Sequence, residues 1–245
     1  GRRRQPQGNM PAPVHTDRHR GWQKAFSCGA NKKVAADTIL CDLPYVYTLT
    51  VWPVRSLEAM RHIDVQTFEK TFALVVQDGA HQRAQNAAGR LNALFDDLRR
   101  ADPLRDPDET MELIWAIWIN HRDSRASHRM VAAVEAIAAG ARDLAKPILD
   151  SLVEEHPDWA EAWNKRASLA FIEKRDNDSV ADIARTLELE PRHFGAIIGF
   201  AQICLRNGRI SEAKAAFEVA LQLNPHIDGL RSIVDDLART RRVLH

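Results

Sequence analysis

The chain carries almost no net charge: 34 Lys and Arg stand against 33 Asp and Glu in 245 residues, a formal +1. That balance argues against a strongly basic nucleic-acid surface or an acidic tail as the organising feature. Cysteine is scarce and odd in number. Three thiols (Cys28, Cys41 and Cys204) in a chain this long do not make a disulfide framework. No apolar run approaches the ~20 residues needed to span a bilayer. The longest candidate, Leu113 to Ile119, is far shorter. Residues 1–30 supply a basic start but no apolar stretch, so no secretory signal is legible there. The sequence opens on Gly1, and Met10 and Met60 are both candidate starts. The default expectation for compartment is the cytoplasm, with export left open should the true start lie elsewhere. A Gly-rich phosphate loop, a nucleophile elbow and a paired-carboxylate motif are also missing. No residue is singled out for catalysis, and no cofactor is implied.

What the chain does have is a period. Pro157, Pro191 and Pro225 are each 34 residues from the next. Other residue types keep phase with them. Small residues recur at Ala133, Ala167 and Ala201, and again at Ala145, Ser179 and Ala213. Large apolar residues recur at Leu149, Ile183 and Phe217, and the series Gly140, Lys174 and Gly208 falls between the two blocks. Small residues suit a close helix crossing, and large ones fill a core. Glycine suits the left-handed residue that ends a first helix, and proline stops a second one. A fixed period of this length marks a helix–turn–helix unit that stacks on copies of itself.

The second unit reads Trp163, Arg166, Ala167 and Ala170, then Ser179, Ile183 and Pro191. The third reads Ile197, Phe200, Ala201 and Cys204, then Ala213, Phe217, Ala220 and Pro225. These residues resemble the tetratricopeptide repeat (TPR). The resemblance covers residues 126–227 well and 90–125 weakly. It implies an all-α, right-handed helical solenoid. The expected domain is 90–245: a degenerate unit (90–125), repeats at 126–159, 160–193 and 194–227, and a capping helix at 228–245. Met111, Trp115 and Trp118 stand 34 residues before Ala145, Leu149 and Leu152, which places the degenerate unit in register. The stripe Ile227, Leu230, Ile233, Val234 and Leu237 supports the solvating cap that a repeat array needs.

The resemblance also implies a concave groove lined by the first helix of each unit, in which such proteins hold a partner peptide. Carried over, its candidate residues are Met130, Val134, Asn164, Lys165, Ser168, Phe171, Ile198, Gly199, Gln202 and Arg206. Gly195 and Gly199 would let a ligand backbone approach closely, or would merely admit a neighbouring helix. Chaperone-binding members clamp a C-terminal carboxylate with Lys and Asn on successive groove helices. The apolar or glycine residues Met130, Val134, Gly195 and Gly199 at those sites weigh against such tails as partners. The expected function is a non-catalytic protein-interaction module, the alternative being a fixed structural subunit anchored by its N-terminal segment.

Arg166 replaces the leucine of the signature at an inward position, and an unpaired buried guanidinium would be costly. Asp182 stands sixteen residues on, on the facing helix of the same hairpin. The equivalent positions are Ala132 and Ile148 in the first repeat, and Phe200 and Ala216 in the third. Charge is present at both positions or at neither, which predicts an Arg166–Asp182 ion pair.

Residues 1–89 are expected to be an irregular segment outside the repeat domain. Residues 1–33 carry eight Lys or Arg against a single Asp17, a pattern that reads as a solvated tail before it reads as a nucleic-acid or membrane contact. Residues 44–52 are rich in aromatic and β-branched types and read by propensity as a strand. Residues 56–76 could be helical. His15, His19, Cys28 and Cys41 lack the tight pairing of a zinc site, so no metal is expected. Asp106, Pro107 and Glu109 form a helix start.

Overall fold

The computed structural model describes residues 63–77, 89–100 and 102–243. The strand expected at residues 44–52, the basic tail and the His15/His19/Cys28/Cys41 set lie outside these residues. Ten helices follow one another and no strand occurs among the described residues. They are α1 (Val65–Val76), α2 (Gly89–Leu98), α3 (Pro107–Ile119), α4 (Ser124–Ala138), α5 (Arg142–Glu155), α6 (Ala160–Ile172), α7 (Asp176–Leu189), α8 (Phe194–Arg206), α9 (Ile210–Leu223) and α10 (Leu230–Val243).

Helices α4–α5, α6–α7 and α8–α9 form three successive antiparallel hairpins, as a TPR-type solenoid requires. The phased residues do what their chemistry dictates. Ala133, Ala167 and Ala201 are buried, as are Ala145, Ser179 and Ala213 opposite them. Ser179 removes its own polar cost by donating its hydroxyl to the Ala167 carbonyl at 2.8 Å. Leu149, Ile183 and Phe217 fill the core of each hairpin.

Each first helix ends on a residue with left-handed backbone: φ is 74° at Gly140, 59° at Lys174 and 72° at Gly208. The residue that follows returns its N–H to a carbonyl five positions back, from Ala141 to Ala136, from Arg175 to Ala170 and from Arg209 to Cys204. This six-residue closure satisfies orphan carbonyls at the helix end. The second unit makes the same turn with lysine and bears the steric cost of its Cβ.

Successive first helices meet directly, α4 on α6 and α6 on α8. The space beside the second helices α7 and α9 is instead taken by α1, which packs on both. α10 packs on α9 with Leu230 and Val234 buried, and closes that end.

Within residues 1–89, the stretch 56–76 that could be helical contains α1. Its stripe Phe68, Thr71 and Val75 is buried, at the spacing of one helix face. Phe68 reaches Phe200 of α8, with ring centroids 5.0 Å apart, and the Arg209 guanidinium covers its ring at 3.9 Å. Asp64 caps the helix by accepting from the Thr67 N–H, and Lys70 pairs with Glu188 at 2.7 Å.

Candidate binding groove

Residues 89–119 form the expected pair of helices, α2 and α3. Asp106 caps α3 by accepting from the Asp108 N–H at 2.9 Å, with Pro107 in the first turn. The packing of this hairpin differs from that of a further unit added upstream of α4. Beyond each other, the helix on which α3 chiefly packs is α6. The hairpin lies across the turns that follow each of the three repeats. At the first, Trp159 donates its indole N–H to the Trp118 carbonyl at 2.8 Å. At the second, Arg192 donates to Asn92 at 2.8 Å and covers the ring of Phe95. At the third, His226 Nε2 donates to the Leu98 carbonyl at 3.1 Å, and the Asn224 amide meets the Met111 sulfur at 3.4 Å. Two of these bonds satisfy carbonyls in the last turns of α2 and α3, which have no partner within their own helices.

The apolar part of the contact is aromatic. Trp115 and Trp118 close on Phe194 at 5.5 and 5.2 Å between centroids, and Phe95 closes on it at 6.2 Å. Trp118 stacks on His193 at 4.1 Å. Beneath them lies a buried polar cluster. His193 Nδ1 accepts from the Ala196 N–H at 3.1 Å and so caps α8. That fixes the tautomer, and Nε2–H is left to donate to Glu161 Oε2 at 2.8 Å. Glu161 Oε2 also accepts from the Asn164 amide at 3.0 Å, and Glu161 Oε1 faces Lys165 Nζ at 3.0 Å. Full burial of Glu161 opposes its ionisation. The Lys165 ammonium and the His193 N–H outweigh that burial and hold the carboxyl at about 2.

The ten candidate groove residues therefore divide. Met130 is fully buried in the core that Leu149, Leu152, Trp159 and Leu169 share. Asn164 is buried on Glu161, and Ile198, one helical turn beyond Phe194, is buried as well. These three are buried in the interior rather than open to a ligand. Lys165 is committed to Glu161, with Trp115 5.2 Å from its ammonium. Val134 is half-buried against the first repeat's core. Ser168, Phe171, Gly199 and Gln202 are half-buried, and Arg206 is exposed. The Arg206 guanidinium lies 3.9 Å from the Phe171 ring centre, donates to the Phe171 carbonyl at 3.0 Å and pairs with Asp176. A Cβ on Gly199 would meet Ile183 Cδ1 at 3.7 Å, an ordinary contact, so that glycine is not required by crowding.

Arg166 and Asp182 are brought together. Arg166 Nε donates to Oδ2 and Nη2 to Oδ1, both at 2.8 Å, in a two-armed bond. Asp150 Oδ1 lies 3.4 Å from Nη1, and the Trp163 ring lies under the guanidinium at 4.9 Å. The bond to Asp182 holds the guanidinium protonated still more firmly than usual.

A protein of Rhizobium etli named TPR repeat-containing protein is 35% identical to this chain over 139 residues, which make up 56% of the chain and 67% of that protein. The chain belongs to the tetratricopeptide-repeat proteins. No protein-family model matches it. The TPR register locates every phased core residue, but two devices escape it. One is α1 beside the second helices α7 and α9, within the stretch 56–76 that could be helical. The other is the hairpin across the turns. It is held by the run Arg192, His193 and Phe194 directly after Pro191. His193 is fully buried.

Proposed function

We propose that this TPR protein is a non-catalytic interaction module, with residues 90–245 as its repeat domain, and that it holds a segment of a partner protein in the part of its inner groove left open. Membership of the TPR proteins supports the interaction role. The observation that carries the location is the division of the groove. The ends of the first helices nearest the turns are closed, whereas Ser168, Phe171, Gln202 and Arg206, on the halves away from the turns, remain half-buried or exposed. Phe171 offers an apolar contact, and the Arg206 guanidinium lies 3.9 Å from its ring centre. Gln202 and Ser168 can orient a backbone by hydrogen bonding.

The test is cross-linking and co-purification of the full chain from its native source, beside a Phe171→Ala/Gln202→Glu variant that keeps the wild-type circular dichroism. Loss of a specific partner in the variant supports the groove. Unchanged recovery removes it.

A further inference from the structure

The near-turn half of the inner groove is occupied by the chain itself, and the occupant shows what the site accepts. The guest is a helix, α3. It presents Trp115 and Trp118, three positions apart, to a wall made of His193 and Phe194. The Trp159 indole takes the Trp118 carbonyl, in the last turn of that helix. A carbonyl there is free because the helix has ended. An extended peptide would not present a carbonyl and two aromatics on the same face in this way. Lys165 and Glu161 form the floor, their charges already matched to each other, so the site asks for apolar rather than charged side chains. The fit carries one defect. Trp118 Nε1 is buried and has no hydrogen-bond partner among the described residues. An unmade bond of this kind costs the bound state, and a phenylalanine at the same position would not carry it.

We propose that this half of the groove is a receptor for an amphipathic helix bearing two aromatic residues three positions apart, that α3 holds it in the free protein, and that a partner helix of this chemistry enters by displacing the α2–α3 hairpin. The proposal rests on reading the inner groove as the partner site. Its test nevertheless uses the near-turn wall and leaves Phe171 and Gln202 untouched, so the two readings fail separately.

The probe is a labelled synthetic peptide of residues 106–120 with a lysine tail for solubility, titrated into the full-length chain by fluorescence anisotropy. A resident competitor lowers apparent affinity by the fraction of time the site is open. The Trp115→Ala/Trp118→Ala chain is therefore expected to bind the peptide at least about tenfold more tightly than wild type. A Trp118→Phe peptide should bind more tightly than the parent peptide, and a peptide with alanine at both aromatic positions should not bind. A variant chain that keeps wild-type helicity and cooperative melting yet takes up neither peptide overturns the proposal. Should that variant fail to fold, hydrogen exchange on the wild-type chain decides. Amides of α3 exchanging about tenfold or more faster than those of α8 support displacement. Equal protection in α3 and α8 overturns it.

Discussion

Trp118 lies flat on His193, with ring centroids 4.1 Å apart and planes 14° from parallel. The imidazole beneath it caps α8 with one nitrogen and holds Glu161 with the other. His193→Ala removes the cap, the bond to a buried carboxylate and the stacking surface together. The expected cost is about 3 kcal/mol, read as a lower midpoint of urea unfolding at neutral pH. A loss below about 0.5 kcal/mol, the range of an ordinary surface change, would show the cluster to be dispensable.

Glu161 sets an acid limb on stability. Its carboxyl is held at about 2 in the folded protein, against an ordinary 4.5. A depressed carboxylate stabilises the fold above the unfolded value, and that stability is lost as pH falls through the folded one. The loss therefore runs from about pH 4.5 down to about pH 2 and amounts to about 3 kcal/mol. Urea unfolding across this range, wild type against Glu161→Gln, isolates the contribution. The difference between the two should be greatest at neutral pH and shrink as acid is added. A difference that stays constant with pH would assign the limb to other groups.

The Arg166–Asp182 pair should be costly to break and cheap to replace. Asp182→Ala alone leaves a half-buried guanidinium with only Asp150 beside it, and is expected to cost about 3 kcal/mol. Arg166→Phe with Asp182→Ala copies the Phe200 and Ala216 of the third unit and should return to within about 1 kcal/mol of wild type. The check is a double-mutant cycle by chemical denaturation. If the double variant is no more stable than Asp182→Ala alone, the pair is not interchangeable with an apolar contact.

Lys174→Gly should stabilise the protein by about 1 kcal/mol, because glycine adopts the left-handed backbone without the steric cost of a Cβ. Gly140→Ala and Gly208→Ala should each destabilise by a similar amount. A Cβ at either glycine meets no atom within 4 Å, so backbone conformation alone sets that cost. Thermal melts of the three variants give the signs directly.

The three stacked hairpins could be read from the sequence because each phased position answers to one local rule: a small residue at a crossing, a large one in the core, a left-handed residue at a helix end. Arg166 and Asp182 were legible because both depart from those rules in the same unit. Met130, Asn164 and Ile198 were misplaced for the opposite reason. Their positions would face a groove in a repeat considered alone, but here they are buried by packing within the same chain. Nothing periodic announces where α2 and α3 pack, since their contacts join residues about a hundred positions apart, such as Asn92 to Arg192 and Leu98 to His226.

Phe68 is the anchor of α1, fully buried between Phe200 and Arg209. Phe68→Ala should cost about 3–4 kcal/mol. Hydrogen exchange should show α1 losing protection while α4 and α5, which it does not chiefly contact, keep theirs. Retained protection in α1 would place its anchorage elsewhere.

Simple stacked arrays unfold unit by unit, because each repeat is coupled only to its neighbours. The hairpin across the three turns removes that freedom. Fraying of any one repeat takes with it a bond to the hairpin, and the hairpin's other two attachments then lose their geometry as well. While the hairpin is seated, an array that would otherwise melt from its ends is tied together, and displacing the hairpin returns the repeats to opening separately.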